Sequence, residues 1–333
     1  MTNHVKSLTK IGVLIIVVCL SIILSMGFGT AELGYQSVWQ CLVDECQRPI
    51  YQTILWDIRF PRVLMGFLAG FALASAGALM QNVTRNPLAD PYLFGIVAGA
   101  GLGATLSGLL PEHLQAISLP LAAFLGALFA VSIVVIVLMG NNWRRVEHLL
   151  LAGVAVSFLL SAFTSFILYF GEAFASNRVI FWMMGSLARA DYYALSWVIP
   201  VLVVCLALAL VFARQLDALL LSDESARTLG VNVDKLRLLA LIVCAAMTAV
   251  IVSYCGGIGF VGLMIPHIVR QLVGVTTMPL IIGSALVGGC FLVWVDVAAR
   301  SALSNVEIPI GIITSAIGSI FFLAIMYRTR KTG

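Results

Sequence analysis

A chain of 333 residues that is 61% hydrophobic and only 10% charged lies far from soluble domains, which run at roughly 45–50% apolar and about 25% charged. Such a chain carries more apolar surface than a water-soluble core can hide, which excludes an ordinary soluble enzyme and points to several α-helical membrane spans; barrel strands would alternate polar and apolar residues, and these runs do not. The net charge of +4 is not a nucleic-acid signature, because the basic residues sit at the ends of hydrophobic runs, where Lys and Arg mark the cytoplasmic side.

Lys6 and Lys10 precede an apolar run over residues 11 to 29. That run exceeds the roughly 7–15 apolar residues of a cleaved signal, so it reads as an uncleaved first span with the N-terminus inside. The polar connection over residues 30–58 carries Cys41 and Cys46. A disulfide between them is a hypothesis that requires this loop to face an oxidising compartment. The other five cysteines, Cys19, Cys205, Cys244, Cys255 and Cys290, lie in or beside apolar runs and read as small core residues. None of the seven falls in a metal-ligand spacing.

Span two covers residues 60–81, with Gly66 and Gly70 at GxxxG spacing, then Ala74, Ala76 and Gly77. Small residues let helix backbones approach where lipid removes the hydrophobic drive. The connection over 82–92 is punctuated by Pro87 and Pro91, and span three follows to residue 109, with Gly95, Gly99 and Gly103 four apart. Spans four and five cover 119–139 and 149–170, and residues 171–190 form a mixed segment with room for a short surface helix. Span six covers 192–213 and span seven 238–255. Gly257, Gly259 and Gly262 then match a dinucleotide spacing. That motif needs a preceding strand in a βαβ unit, and here the flanks are membrane spans, so the glycines read as a tight re-entry. Residues 263–274, interrupted by Pro266, His267 and Arg270, are the ambiguous eighth span; spans nine and ten cover 279–303 and 308–326.

Hydropathy alone supports eight or nine spans, and a ten-span count can be checked by charge. With ten spans and both termini inside, the inner side receives 13 of the 19 Lys and Arg residues and the outer side six: Arg48, Arg59, Arg62, Arg178, Arg189 and Arg300. This asymmetry favours that orientation over its inverse and places residues 214–237 in the cytoplasm. That segment holds eight charged residues, a dense polar interruption in an apolar chain. Ser222 can cap a short helix, Asp223 and Glu224 suit its positive end, Arg227 its other end, and Gly230 the left-handed position that closes it. Asn232 or Asp234 can cap a second helix running into span seven. An ordinary solvated loop is the plain alternative, but a loop needs neither two caps nor a terminating glycine.

Asp296 and Arg300, four apart near the outer end of span nine, read as a structural pair on one helix face. Asp296 is the one carboxylate inside an apolar run, and ion-coupled carriers place ionisable groups near mid-membrane, which argues against a secondary transporter. His267 reads as a structural hydrogen-bonder. The chain contains neither GxxxxGK[ST] nor HExxH, so energy for transport against a gradient must come from a partner.

Taken together, IRFPRVLMGFLAGFALASAGALMQ with NVTRNPLADP (58–91), HLLLAGVA (148–155), FWMMGSL (181–187), SARTLGV (225–231), GGIGFVGLMIPHIVR (256–270) and EIPIGIITSAIGS (307–319) resemble the iron-chelate and vitamin B12 permease family of ABC importers. The strings occur in the family's order across most of the chain. The resemblance implies an all-α polytopic membrane protein with about ten transmembrane helices, the type II ABC importer permease fold, over residues 1–333 as a single domain. It implies a homodimer in the bacterial inner membrane, two cytoplasmic ATPase subunits that use ATP and Mg, and a periplasmic substrate-binding protein. This chain itself would bind no cofactor or metal and carry no catalytic residue. The family's ATPase-coupling residues match Ser222, Asp223, Glu224, Ala226, Arg227, Leu229 and Gly230. Its outer basic residues, which meet the binding protein, match Arg59, Arg62 and Arg300. At its cytoplasmic gate, where the vitamin B12 permease has small hydroxyl residues, this chain has Arg145 and Val146, followed by Leu150. The reading is an importer permease for a metal chelate, a ferric siderophore first, with haem or cobalamin as alternatives. An ion-coupled secondary transporter and an intramembrane enzyme are the rival classes; the enzyme would need a polar catalytic pair facing each other across spans, and none is evident.

Overall fold

The computed structural model describes residues 2–29, 34–43, 46, 48–139, 146–303 and 306–330, and every regular element among them is helical. In chain order the helices are α1 (Thr2–Ser25), α2 (Tyr35–Leu42), α3 (Pro49–Gln52), α4 (Phe60–Thr84), α5 (Ile96–Ser107), α6 (Glu112–Met139), α7 (Val146–Phe170) and α8 (Ala173–Met183). They continue as α9 (Tyr192–Val211), α10 (Ala213–Leu221), α11 (Asp223–Thr228), α12 (Val233–Cys255), α13 (Val261–Val273), α14 (Thr277–Ser301) and α15 (Ile310–Arg330). Seven helical stretches among the described residues are long and apolar enough to cross a membrane, and three shorter apolar ones accompany them: Gly12–Ser25, Ile96–Ser107 and Val261–Val273. The ambiguous eighth segment is therefore a helix of its own, α13.

The expected loop over 30–58 is largely helical where it is described. A wide helical turn over Thr53–Arg59 joins α3 to α4, so one continuous stretch runs Pro49–Thr84. Pro61 accounts for the wide turn: it has no N–H to donate and its ring crowds the carbonyl four residues back. The helix shifts register there, with Phe60 N donating to Leu55 O, five residues back. Cys41 and Cys46 are joined by a disulfide. The mixed segment at 171–190 does contain a short helix, α8.

α4, α12 and α14 are the most deeply buried spans, whereas α7 and α15 present most of their surface outward. The central contact is α4 against α14, where a methyl added at Gly70 would collide with the Gly288 carbonyl. One helix face further, Gly77 meets the Gly262 carbonyl of α13 in the same way. Backbones this close replace side-chain interdigitation, which is the use membrane helices make of small residues. The glycine-rich connection from α12 to α13 is the expected tight re-entry. Gly256 turns at φ 73°, and any side chain there would strike the Trp182 carbonyl.

Candidate functional site

Two polar clusters lie at opposite ends of the bundle. The first is the 214–237 segment. Sequence reading ran span six to residue 213, but α9 stops at Val211 and a separate amphipathic helix, α10, follows, burying Ala213, Leu216 and Leu219. Ser222 is extended and divides α10 from α11, and its Oγ accepts from Ser225 N at 2.9 Å. Asp223 and Glu224 occupy the first turn of α11 and Arg227 the last, the order the helix dipole favours. The helix closes on Gly230 at φ 80°, with Val231 N donating to Ala226 O at 3.0 Å, the left-handed ending that a glycine permits. Asn232, not Asp234, caps α12 by accepting from Lys235 N at 3.1 Å.

What this segment touches was not readable from its own pattern. Asp223 Oδ1 accepts from Arg85 Nη2 at 2.6 Å and from Arg237 Nη2 at 2.8 Å, while Oδ2 accepts from Arg237 Nη1 at 2.9 Å. Arg85 is the left-handed C-cap of α4, and Arg237 is on the first turns of α12. On α10, Asp217 Oδ1 accepts from Thr277 N at 2.7 Å, at the start of α14. Two carboxylates thus tie the short helices to all three central spans. Glu224, Arg227, Leu229 and Gly230 face outward, Ser222 and Asp223 are half-buried, and Ala226 is fully buried. A signal for one missed partner was present: Arg237 falls in line with Val233, Leu241 and Cys244, all buried, so a charge on that apolar stripe required a counter-charge.

The second cluster is at the other end. Arg62 engages Asp296 through Nε and Nη2 at 3.0 and 2.9 Å, and Glu307 through Nη1 and Nη2 at 2.8 and 2.9 Å. Arg300 pairs with Asp296 at 3.4 Å and donates to Ser25 O at 2.9 Å, and Arg59 donates to Met26 O at 2.7 Å. The expected Asp296–Arg300 pair is present, inside a larger network. All three arginines are buried. These are the residues assigned from sequence to binding-protein docking; a buried guanidinium needs internal partners, and the geometry supplies them from α1, α14 and the loop before α15. Glu307, outside the spans, is held below the ordinary carboxylate range by its hydrogen bonds to Arg62.

Of the expected gate residues, Arg145 lies outside the described residues, Val146 opens α7, and Leu150 is half-buried on that helix. His267 stacks edge-on against Phe321 at 6.1 Å between ring centres. Among the described residues no group of three or more His, Cys, Asp or Glu is placed to hold a metal.

A multi-pass helical bundle with a polar helical block linked to its central spans is the architecture of a transport permease. The chain belongs to the FecCD transport family, matching it over residues 14–328. It is 42% identical over 275 residues to the cobalamin import system permease protein of Halobacterium salinarum, covering 83% of this chain and 73% of that one. To the hemin transport system permease protein of Yersinia pestis it is 34% identical over 335 residues, 99% of each. To the Fe(3+)-citrate import permease of Bacillus subtilis it is 39% identical over 281 residues, 84% and 82% of the two. A solved metal-chelate type ABC transporter in an inward-facing conformation superposes with a TM-score of 0.85 at 28% identity, over 96% of this chain and 99% of that one.

Proposed function

We propose that this chain is the membrane subunit of an ATP-driven importer for a large metal chelate, with a ferric siderophore as first candidate. Two copies would form the pathway in the inner membrane, two cytoplasmic ATPase subunits would supply ATP and Mg chemistry, and a periplasmic binding protein would deliver the cargo. Relatives carry this cargo class in their names: ferric citrate, hemin and cobalamin. The observation that carries the mechanism is the link from α10 and α11 to α4, α12 and α14 through Asp217 and Asp223. An ATPase that displaced the exposed Glu224, Arg227, Leu229 and Gly230 would move three spans with one block, as rigid-body alternating access requires. Ser222, Asp223 and Ala226 are assigned to holding the block in place.

The opposite end carries the Cys41–Cys46 disulfide, a bond suited to an oxidising compartment, which supports the orientation derived from charge. There we assign Arg59, Arg62 and Arg300 to bracing the outer helix ends. The gate stays with the connection from α6 to α7, at Arg145, Val146 and Leu150.

The test is reconstitution of the chain with its cognate ATPase and binding protein in proteoliposomes. Uptake should require ATP, and the chain should purify with the ATPase; transport on an ion gradient with no ATPase present would overturn the reading. Cobalamin is the second cargo reading, favoured by the 42% identity to a cobalamin permease. Comparing uptake of ferric siderophores, haem and cobalamin in that system decides between them.

A further inference from the structure

A cavity of about 820 Å³ lies apart from both polar clusters, within the roughly 300–1,000 Å³ of small-molecule sites. α8 forms its roof and the last turns of α12 its floor, while α5 and α6 wall one side and α9 the other. It therefore sits at the end of the bundle remote from α10 and α11. The body of the cavity is apolar, with Leu119, Phe124, Val179, Val201 and Val250 on its walls. Two hydroxyls that line it are turned back on their own helices, Ser107 donating to Ala104 O and Ser253 to Val250 O, each at 2.8 Å. A polar metabolite would lose its hydration there and regain little, at a high desolvation cost.

The chemistry changes at the rim. Arg178 and Arg189 line it together with Asp191, and the Asp191 carboxylate caps α9 by accepting from Ala194 N at 2.7 Å. Beside them Tyr193 and Trp197 are 61% and 56% exposed, aromatic side chains of the kind that settle at the membrane–water boundary. Leu121, on the opposite lip, is also exposed, so the cavity opens sideways between α6 and α9. Its occupant must have an apolar body and an anionic head.

We propose that this groove holds an anionic phospholipid of the surrounding leaflet, with an acyl chain between α6 and α9 and the phosphate at Arg178 and Arg189. Guanidinium forks match phosphate oxygens in geometry as well as charge. The groove wall continues into the core, because Trp182, which lines the groove, sets its carbonyl against the Gly256 turn between α12 and α13. The inference rests on this groove alone and is independent of the cargo.

The test uses the full chain in nanodiscs of phosphatidylcholine, with or without phosphatidylglycerol, followed by native mass spectrometry of retained lipid. Phosphatidylglycerol should be retained over phosphatidylcholine, and Arg178→Gln with Arg189→Gln should cut that retention on the order of tenfold. Leu121→Trp, which fills the lip and leaves both arginines, should reduce retention of either lipid. Equal retention of the two lipids, unchanged retention in the arginine variant, or no effect of Leu121→Trp would each overturn the proposal. So would displacement of the lipid by inorganic phosphate, which would mark a simple anion site. Should the double variant not fold, Arg189→Gln alone preserves the test, since Arg189 is exposed and its loss removes no core contact.

Discussion

Gly230 shows how much one backbone angle carries. At φ 80°, with no atom near its absent side chain, the position calls for glycine by conformation and not by space. Gly230→Val places a branched residue in the left-handed region at a cost of about 1–2 kcal/mol, which would unwind the end of α11 and leave the spans intact. The expected result is a normally assembled complex that hydrolyses ATP with much reduced uptake, read by measuring both in the same proteoliposomes; normal uptake would remove α11 from the drive path. Asp90 is the residue whose chemistry answers to pH. It caps the short turn at Pro91–Phe94 by accepting from Tyr92 N at 2.8 Å, and burial pushes its carboxyl up to about 6. A carboxyl that is less acidic in the fold than in the open chain favours the fold while protonated. That contribution is complete below the unfolded value of about 3.9 and is lost as pH rises through about 6. Asp90→Asn keeps an acceptor for Tyr92 N without the charge. Its melting temperature should therefore gain on the wild type between about pH 5 and about pH 7.5, and a pH-independent difference would show that Asp90 does not titrate in this window.

Among the elements, α4 is the one on which the others depend, because α12, α13 and α14 all pack against it. Its glycine and alanine pattern announced close contacts, though not with which helix. Contact between Gly70 and Gly288 puts two backbones together over 218 residues of chain, and no local pattern encodes such a pairing. Gly70→Val should cost at least about 1–3 kcal/mol by overpacking and lower the yield of monodisperse protein in detergent. Gly12→Val is the control: an added side chain at Gly12 on α1 meets nothing within 4 Å, so its yield and melting temperature should match the wild type. Equal behaviour of the two variants would mean that the α4 to α14 contact is not tight.

For the whole molecule the decisive property is sidedness. The block of α10 and α11 lies at one end of the bundle, and the buried arginines with the Cys41–Cys46 disulfide lie at the other. Leu229, 67% exposed on that block, is a probe of this arrangement. In a background without the native free cysteines, Leu229→Cys should react with a membrane-impermeant maleimide in inside-out vesicles and stay unlabelled in right-side-out ones. The reverse pattern would invert the topology and remove the ATPase from this face.

Composition, the lengths of the apolar runs and the placement of Lys and Arg were enough to define a polytopic helical membrane protein, and the caps at Ser222 and Gly230 were legible because capping is decided within a few residues of chain, whereas the choice of Asn232 over Asp234 was made by the structure. The family was legible too, from ordered strings along most of the sequence. The use of buried charge was not legible. Arg62 reads as an outer basic residue until Asp296 and Glu307, more than 230 positions away, close around it. Asp223 reads as a helix-dipole residue until Arg85 and Arg237 claim it. A burial penalty belongs to a place in three dimensions, so only the tertiary structure decided which charges brace the bundle and which remain at its surface.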